Sequence, residues 1–173
     1  VITEVLLPDT AKKALFQTNE NLDKQINYGL NLNAPVTLSK WWSSSNNLLA
    51  YYLGFRSSDL RGQDLNSGKV AFQFNSQHKF SISKTLSAEL MADYRSPIEY
   101  GTLKISSQYG IDLGISKTLL NKRANIKFAL SDIFDTRRQT ITSAYTGLNY
   151  NLQQKNETRI GRLSLSYRFG KTE

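Results

Sequence analysis

The feature that most constrains this chain is alternation with a period of two. In "TLKISSQYGIDLGIS", residues 102–116, Leu103, Ile105, Tyr109, Ile111, Leu113 and Ile115 fall on odd positions. The even positions between them hold Lys104, Ser106, Gln108, Gly110, Asp112, Gly114 and Ser116. Successive side chains of a strand point to opposite faces, so such a segment has one apolar face and one polar face. Helical spacing fits it less well. The pattern returns at Ile26–Leu32, Leu49–Phe55, Val70–Ile82, Leu86–Tyr94, Ala124–Leu130 and Leu163–Phe169. In the second of these, Leu49, Tyr51, Leu53 and Phe55 are read as the apolar set. With the apolar opening "VITEVLL", about eight strands are expected. Residues 139–154 either extend the last hairpin or form a long loop.

Mean hydropathy of −0.43 looks like that of a water-soluble chain. A membrane-crossing strand, however, needs only every second residue to be apolar, and an average over the chain does not register it. The connections add a second regularity. Tight ones are expected around Pro35–Lys40, Ser83–Thr85 and Lys117–Arg123, and longer polar ones at Pro8–Glu20, Arg56–Ser67, Arg95–Thr102 and from Phe134 onward. Short and long alternate, so in an up-and-down meander all the tight turns lie at one end. The pentapeptide "ISKTL", at Ile82–Leu86 and again at Ile115–Leu119, and its looser copy "LSKWW" at Leu38–Trp42, then mark equivalent hairpins at that end. Short turns on one side and longer loops on the other characterise outer-membrane barrels. The expected fold is therefore all-β, an antiparallel up-and-down transmembrane β-barrel.

Aromatic residues support that reading. Trp41, Trp42, Phe80 and Phe169 fall at the short-turn end beside Lys40, Lys84, Lys117, Lys122 and Arg123, as in a headgroup girdle. Phe55, Tyr94, Tyr100 and Phe134 fall toward the other end and suggest a second girdle. The polar face is mostly small: Gly29, Ala50, Gly54, Ala71, Gly110, Gly114, Ala129, Ser131, Ser164 and Ser166. A closed eight-stranded barrel must fill its interior with side chains, and these would leave it hollow. The strands are therefore expected to be a sector of a larger wall. Residues 1–173 then form a single barrel region, the C-terminal part of a longer chain. Two alternatives stay open: a complete small eight-stranded barrel, or a soluble β-sandwich acting as a structural or ligand-binding module.

Much chemistry is excluded by composition. With no cysteine, thiol catalysis and thiolate metal sites are ruled out, and the single histidine, His78, rules out a multi-histidine zinc site within the chain. His78 lies in the lipid-facing register and near the short-turn end, whereas a lipid-side hydrolase triad would want it near the outer surface, beside a serine and an orienting acid. Glu89 and Asp93 share a face but stand about 13 Å apart along a strand, beyond the roughly 5–9.5 Å of paired glycosidase carboxylates. Asp112 can approach Asp93 across strands, with Arg95, Lys104 and Lys127 available for charge pairing. No P-loop or dinucleotide fingerprint occurs. No catalytic, cofactor or metal residue is assigned, and the chain is not expected to be an enzyme. The net charge of +8 fits a solvated basic surface or an anionic partner such as lipopolysaccharide phosphate. Nucleic acid is not expected, because the aromatics sit on the apolar face and the cations sit opposite or at the ends.

The segment "RIGRLSLSYRFGK" (Arg159–Lys171) resembles the closing strand of a bacterial outer-membrane barrel. In that resemblance Leu163, Leu165, Tyr167 and Phe169 form the signal read by the barrel-assembly machinery. More widely, "SKWW", "AELMADYRSP", "IDLGISKTLLNKRANIKFALSDIFDTRR" and "SLSYRFG" resemble the outer membrane protein β-barrel family related to TonB-dependent receptors. The resemblance runs from about Asn19 to Gly170. It implies a sector of a large plugged barrel of roughly 22 strands in the bacterial cell outer membrane. It also implies nutrient uptake, with outer-membrane lipid, a plug domain and an energy-coupling protein as partners. No plug or coupling segment is recognisable within these residues, and the resemblance carries over no ligand-binding residue.

Overall fold

The computed structural model describes residues 1–9, 12, 14–143 and 150–170. Their strands, in chain order, are β1 (Ile2–Asp9), β2 (Ala14–Asn21), β3 (Lys24–Ser39), β4 (Trp42–Ser57), β5 (Leu65–Ser81), β6 (Leu86–Arg95), β7 (Ile98–Tyr100), β8 (Leu103–Ile105), β9 (Gln108–Leu119), β10 (Ala124–Leu130), β11 (Gln139–Ser143), β12 (Asn151–Gln154) and β13 (Gly161–Tyr167). All described pairings are antiparallel.

Seven strands make one sheet, ordered β13-β10-β9-β6-β5-β4-β3, a meander with long excursions. Its register places the apolar residues in continuous rows. One row runs Trp42, Phe80, Ala88, Ile115, Phe128, Leu163, and another runs Leu32, Leu48, Phe74, Tyr94, Tyr109. Directly paired residues share a face, so this is one apolar surface across the whole sheet. No second layer covers it among the described residues: Tyr28 is 64% exposed and Leu163 73%. The surface is too broad to be an ordinary exposed patch, and hydrocarbon is the solvent that suits it.

The opposite face is polar, with rows such as Asn33, Asn47, Asn75, Asp93, Gly110. Asn47 donates to the side-chain oxygens of both Asn31 and Asn33 at 2.7 Å.

The three short connections all lie at one end, at Lys40–Trp41, Ile82–Thr85 and Leu120–Arg123. The repeated pentapeptides meet there: Leu86 pairs with Lys117, the Thr118 N–H donates to the Thr85 carbonyl, and Lys117 Nζ reaches Thr85 Oγ1. β13 ends at the same level, where the Arg168 N–H bonds the Arg123 carbonyl.

At the other end β7, β8, β11 and β12 form a four-stranded sheet, and β1 and β2 form a separate hairpin. A small core joins these parts. Phe55 is 0% exposed, packed with Leu22, Leu53, Leu60 and Leu65, and Tyr100 meets it edge-on at 5.1 Å. Thr102 exchanges hydrogen bonds with the backbone of Leu6, tying the hairpin down.

Several expectations are corrected. The wall has seven strands where alternation counts about eight, because the opening residues fold with Ala14–Asn21 as a hairpin outside the wall. Pro8–Glu20 is therefore largely strand. The odd-numbered run from Leu103 is interrupted after Ile105, and β8 leaves for the second sheet. Residues 139–154 supply β11 and β12, with 144–149 outside the described residues. Pro35 lies within β3, an edge strand, where its missing N–H breaks no ladder bond. The faces of β4 are the reverse of those expected. Ala50 and Gly54 pair with Leu30 and Ile26 on the apolar surface, whereas Leu49, Tyr51, Leu53 and Phe55 face inward. Residues 48–55 are apolar on both sides because the inner side carries the small core, so alternation alone does not tell which side meets lipid.

Candidate functional site on the inner face

The most organised polar cluster sits on the inner face near the long-loop end. After β10 the chain turns back over the sheet instead of leaving it. Asp132 and Asp135 adopt positive φ, 45° and 57°, a conformation Asp tolerates better than most residues. The Asp132 N–H donates to Asp112 Oδ1 at 2.7 Å, and the Ile133 N–H to the Ile111 carbonyl at 2.9 Å. Thr136 Oγ1 donates to the Tyr109 carbonyl at 3.0 Å. Residues 131–138 are thereby stitched along the start of β9.

Asp132 organises the segment from within. It is fully buried, and its carboxylate accepts the N–H groups of Thr136 and Arg137 and the hydroxyls of Thr136 and Thr158. Burial pushes this carboxyl upward. The hydrogen bonds from Thr158, Thr136 and Arg137 more than offset that, and hold it well below the usual carboxylate range.

Held in this way, Arg137 lays its guanidinium on the wall. Nη1 lies 2.7 Å from Asp112 Oδ1 and Nη2 3.0 Å from Asp112 Oδ2, a bidentate pair, and Nη2 also contacts Asp93. Asp93 and Asp112 stand on neighbouring strands, one diagonal step apart. Gly110 makes room for the guanidinium: a Cβ there would come within 2.6 Å of Arg137 Cζ. Chemically this is a fastening in which one guanidinium bridges two wall carboxylates and fixes the loop before β11. From it a polar trough runs toward the short turns, lined by Ser45, Asn47, Asn75, Gln77 and Lys79.

The expected approach of Asp112 to Asp93 is therefore found, but their cation is Arg137 and not Arg95, Lys104 or Lys127. Lys127 pairs with Glu89 at 3.0 Å and Lys104 stands 4.0 Å from Glu99. One signal for Arg137 was present in the sequence. "SDIFDTRR" places two turn-favouring aspartates and two arginines directly after an apolar strand.

The aromatic residues divide. Trp41, Trp42 and Phe80 cluster at the short-turn end, with ring centroids 5.7 to 6.1 Å apart. Phe169 packs edge-on against Tyr167 at 4.7 Å and is exposed. Tyr94 lies on the apolar surface between Phe74 and Tyr109 and stacks on Phe72 at 5.4 Å. Phe134 is exposed in the 131–138 segment. Phe55 belongs to the inward core and cannot serve as an outward girdle residue, because its side chain is covered by Leu22, Leu60 and Leu65. Tyr28 and Tyr52, stacked at 5.2 Å on the apolar face, occupy that level instead. Leu163 and Leu165 of the closing strand point outward with Tyr167, in register with Phe128, Ile126 and Ala124.

His78 has a serine beside it, but its other ring nitrogen meets an indole N–H where a triad would place an acid. The Trp42 indole N–H can only donate, and it lies 3.2 Å from His78 Nδ1. Neutral His78 then carries its proton on Nε2, which meets Ser76 Oγ at 3.0 Å, and Ser76 donates onward to Asn46 Oδ1 at 2.7 Å. Serine activation needs the reverse, an unprotonated nitrogen facing the hydroxyl. Asn46 completes the island by donating to Ser44 Oγ at 2.9 Å. These polar groups satisfy one another, which makes them tolerable on a lipid-facing surface.

No curated protein and no solved structure matches the chain. A model of the outer membrane protein beta-barrel family matches residues 1–167, nearly the whole sequence. With its antiparallel sheet and uncovered apolar surface, the chain belongs to that outer membrane protein beta-barrel family and resides in the bacterial outer membrane.

Proposed function

We propose that this chain forms part of the wall of a TonB-dependent-receptor-like transporter and contributes to nutrient uptake. The observation that carries this reading is the state of the inner face. Asn31, Asn33, Ser45, Asn75, Gln77 and Lys79 are exposed there, and among the described residues no side chains from facing strands fill the space in front of them. A small closed barrel would pack that space, whereas a wide one leaves it to water or to a plug. The chemistry of the face suits either, because its amides and hydroxyls bond water and polar protein surface equally well. Outer-membrane lipid, the barrel-assembly machinery, a plug domain and an energy-coupling protein are the partners on this reading. The orientation of the His78 hydrogen bonds favours transport over lipid hydrolysis.

The test is planar-bilayer conductance of the full-length protein, before and after its plug is deleted or selectively unfolded with urea. A closed state that opens into a large, ohmic pore is expected. Silence under both conditions would mean a lumen filled by wall side chains, and the transporter reading would fail.

A further inference from the structure

The charges of the inner face do not balance. Lys69, Lys79, Arg95, Lys127 and Arg162 stand on it and Arg137 is laid over it, against three carboxylates, Glu89, Asp93 and Asp112. Arg137 bridges Asp93 and Asp112, and Arg95, two residues beyond Asp93, makes up the missing positive charge. Glu89 pairs with Lys127 at 3.0 Å. Lys127 reaches it across Gly114, where a Cβ would stand 3.7 Å from Lys127 Cε. Lys69, Lys79 and Arg162 remain, exposed and in no ion pair among the described residues.

Register puts two of these cations at one level. Lys79, Glu89, Gly114, Ala129 and Arg162 pair in turn across five neighbouring strands, with Lys127 reaching into the same row. A single carboxylate therefore stands in a belt of three cations near the short-turn end. Lys69 lies at the opposite end of β5, ten positions from Lys79. At about 3.3 Å per residue and a tilt near 40°, that is roughly 25 Å of height. Surplus positive charge thus marks both ends of the path along the wall. Concave surfaces lined by one sign of charge concentrate ions of the opposite sign.

We propose that the inner wall is an anion-selecting surface and that the solute it admits is anionic, drawn past Lys69 and received by the Lys79–Lys127–Arg162 belt. The substrate class rests on the transport reading above; the selecting surface rests on the charge census alone. A plug with carboxylates is the other occupant such cations suit. The separation of Lys69 from the belt by the height of the wall favours a passing solute, since a docking patch gathers its charges in one place.

The 173 residues hold no cysteine, so one introduced thiol reports the local potential. Ser43 is exposed and pairs directly with Lys79, and Ser43→Cys changes one atom. Full-length protein with no other cysteine is purified in detergent, and its thiol is reacted with sulfonatoethyl and trimethylammonioethyl methanethiosulfonates. After scaling to a free thiol, the anionic reagent should react roughly three- to tenfold faster than the cationic one. Lys79→Gln should remove most of that preference, and Lys79→Glu should reverse it. Equal rates, a cationic preference, or a ratio indifferent to Lys79 would overturn the inference. So would a preference that appears only once the plug is unfolded by urea, which would assign the cations to the plug. In the open pore of the conductance test, Lys79→Gln combined with Arg162→Gln should lower the chloride-to-potassium permeability ratio by roughly twofold or more. An unchanged ratio would overturn the assignment of an anionic solute. A silent pore with an anion-preferring thiol would sink the transport reading and leave the anion-selecting surface standing.

Discussion

An arginine placed on either side of β9 reads directly which solvent each face meets. Leu113 lies on the outer surface between Leu90 and Leu130, and no anion stands beside it in that row. It is six positions before Leu119, the end of β9. At about 3.3 Å per residue and a tilt near 40°, that places it roughly 15 Å from the short turns, near the middle of a band about 25 Å tall. Leu113→Arg at this depth should cost about 2–4 kcal/mol, roughly a 30- to 900-fold shift in the folding equilibrium. Ser116→Arg, on the inner face, loses one hydrogen bond, from Ser116 Oγ to Asn125 Oδ1 at 2.9 Å. That loss is worth about 1 kcal/mol, and repulsion from Lys127 across the pair adds a few tenths. The assay is urea unfolding of the full-length protein in lipid vesicles, followed by the mobility difference between folded and unfolded barrel on unheated gels. Losses of equal size, or a larger loss for Ser116→Arg, would refute the face assignment and with it the claim that hydrocarbon covers the Leu113 side.

The inner fastening offers further tests by the same unfolding assay. Arg137→Ala should destabilise by about 1–3 kcal/mol, less than the removal of a fully buried partner because the carboxylates stay partly hydrated. Arg137→Lys should recover only part of this, since an ammonium cannot match both Asp112 oxygens. Gly110→Val should give nearly the loss of Arg137→Ala by displacing the guanidinium, and adding it to Arg137→Ala should cost little more. Phe55→Ala should cost about 3–5 kcal/mol, seen as faster proteolysis at Arg56–Leu65 while the wall resists digestion. The carboxyl of Asp132 is depressed in the folded state. Its stabilisation is therefore complete above its unfolded value of about 3.9 and fades as pH falls below that toward the folded value. Wild-type stability should drop from about pH 4 downward, and Asp132→Asn should flatten that part of the profile.

The parts of this fold that were legible in the sequence are those where one solvent meets one face. β9 and β13 show this most clearly. Ile111, Leu113 and Ile115, and Leu163 and Leu165, alternate cleanly with polar residues because nothing but water or polar protein faces the other side. β4 shows the limit. Its inner residues Leu53 and Phe55 serve a core built from Leu22, Leu60 and Leu65, so both sides of one strand are apolar for different reasons. Periodicity records that a side chain is sheltered and does not record by what. The same limit hid the fastening. Asp93 and Asp112 alternate correctly as inner-face residues, yet the cation that joins them comes from residue 137, 25 positions beyond Asp112. Alternation carries no information about a loop that folds back. Strand parity, by contrast, follows from counting alone once the hairpin formed by Val1–Asn21 is set apart. Seven antiparallel strands, ordered β13-β10-β9-β6-β5-β4-β3, leave the two edge strands running in the same direction.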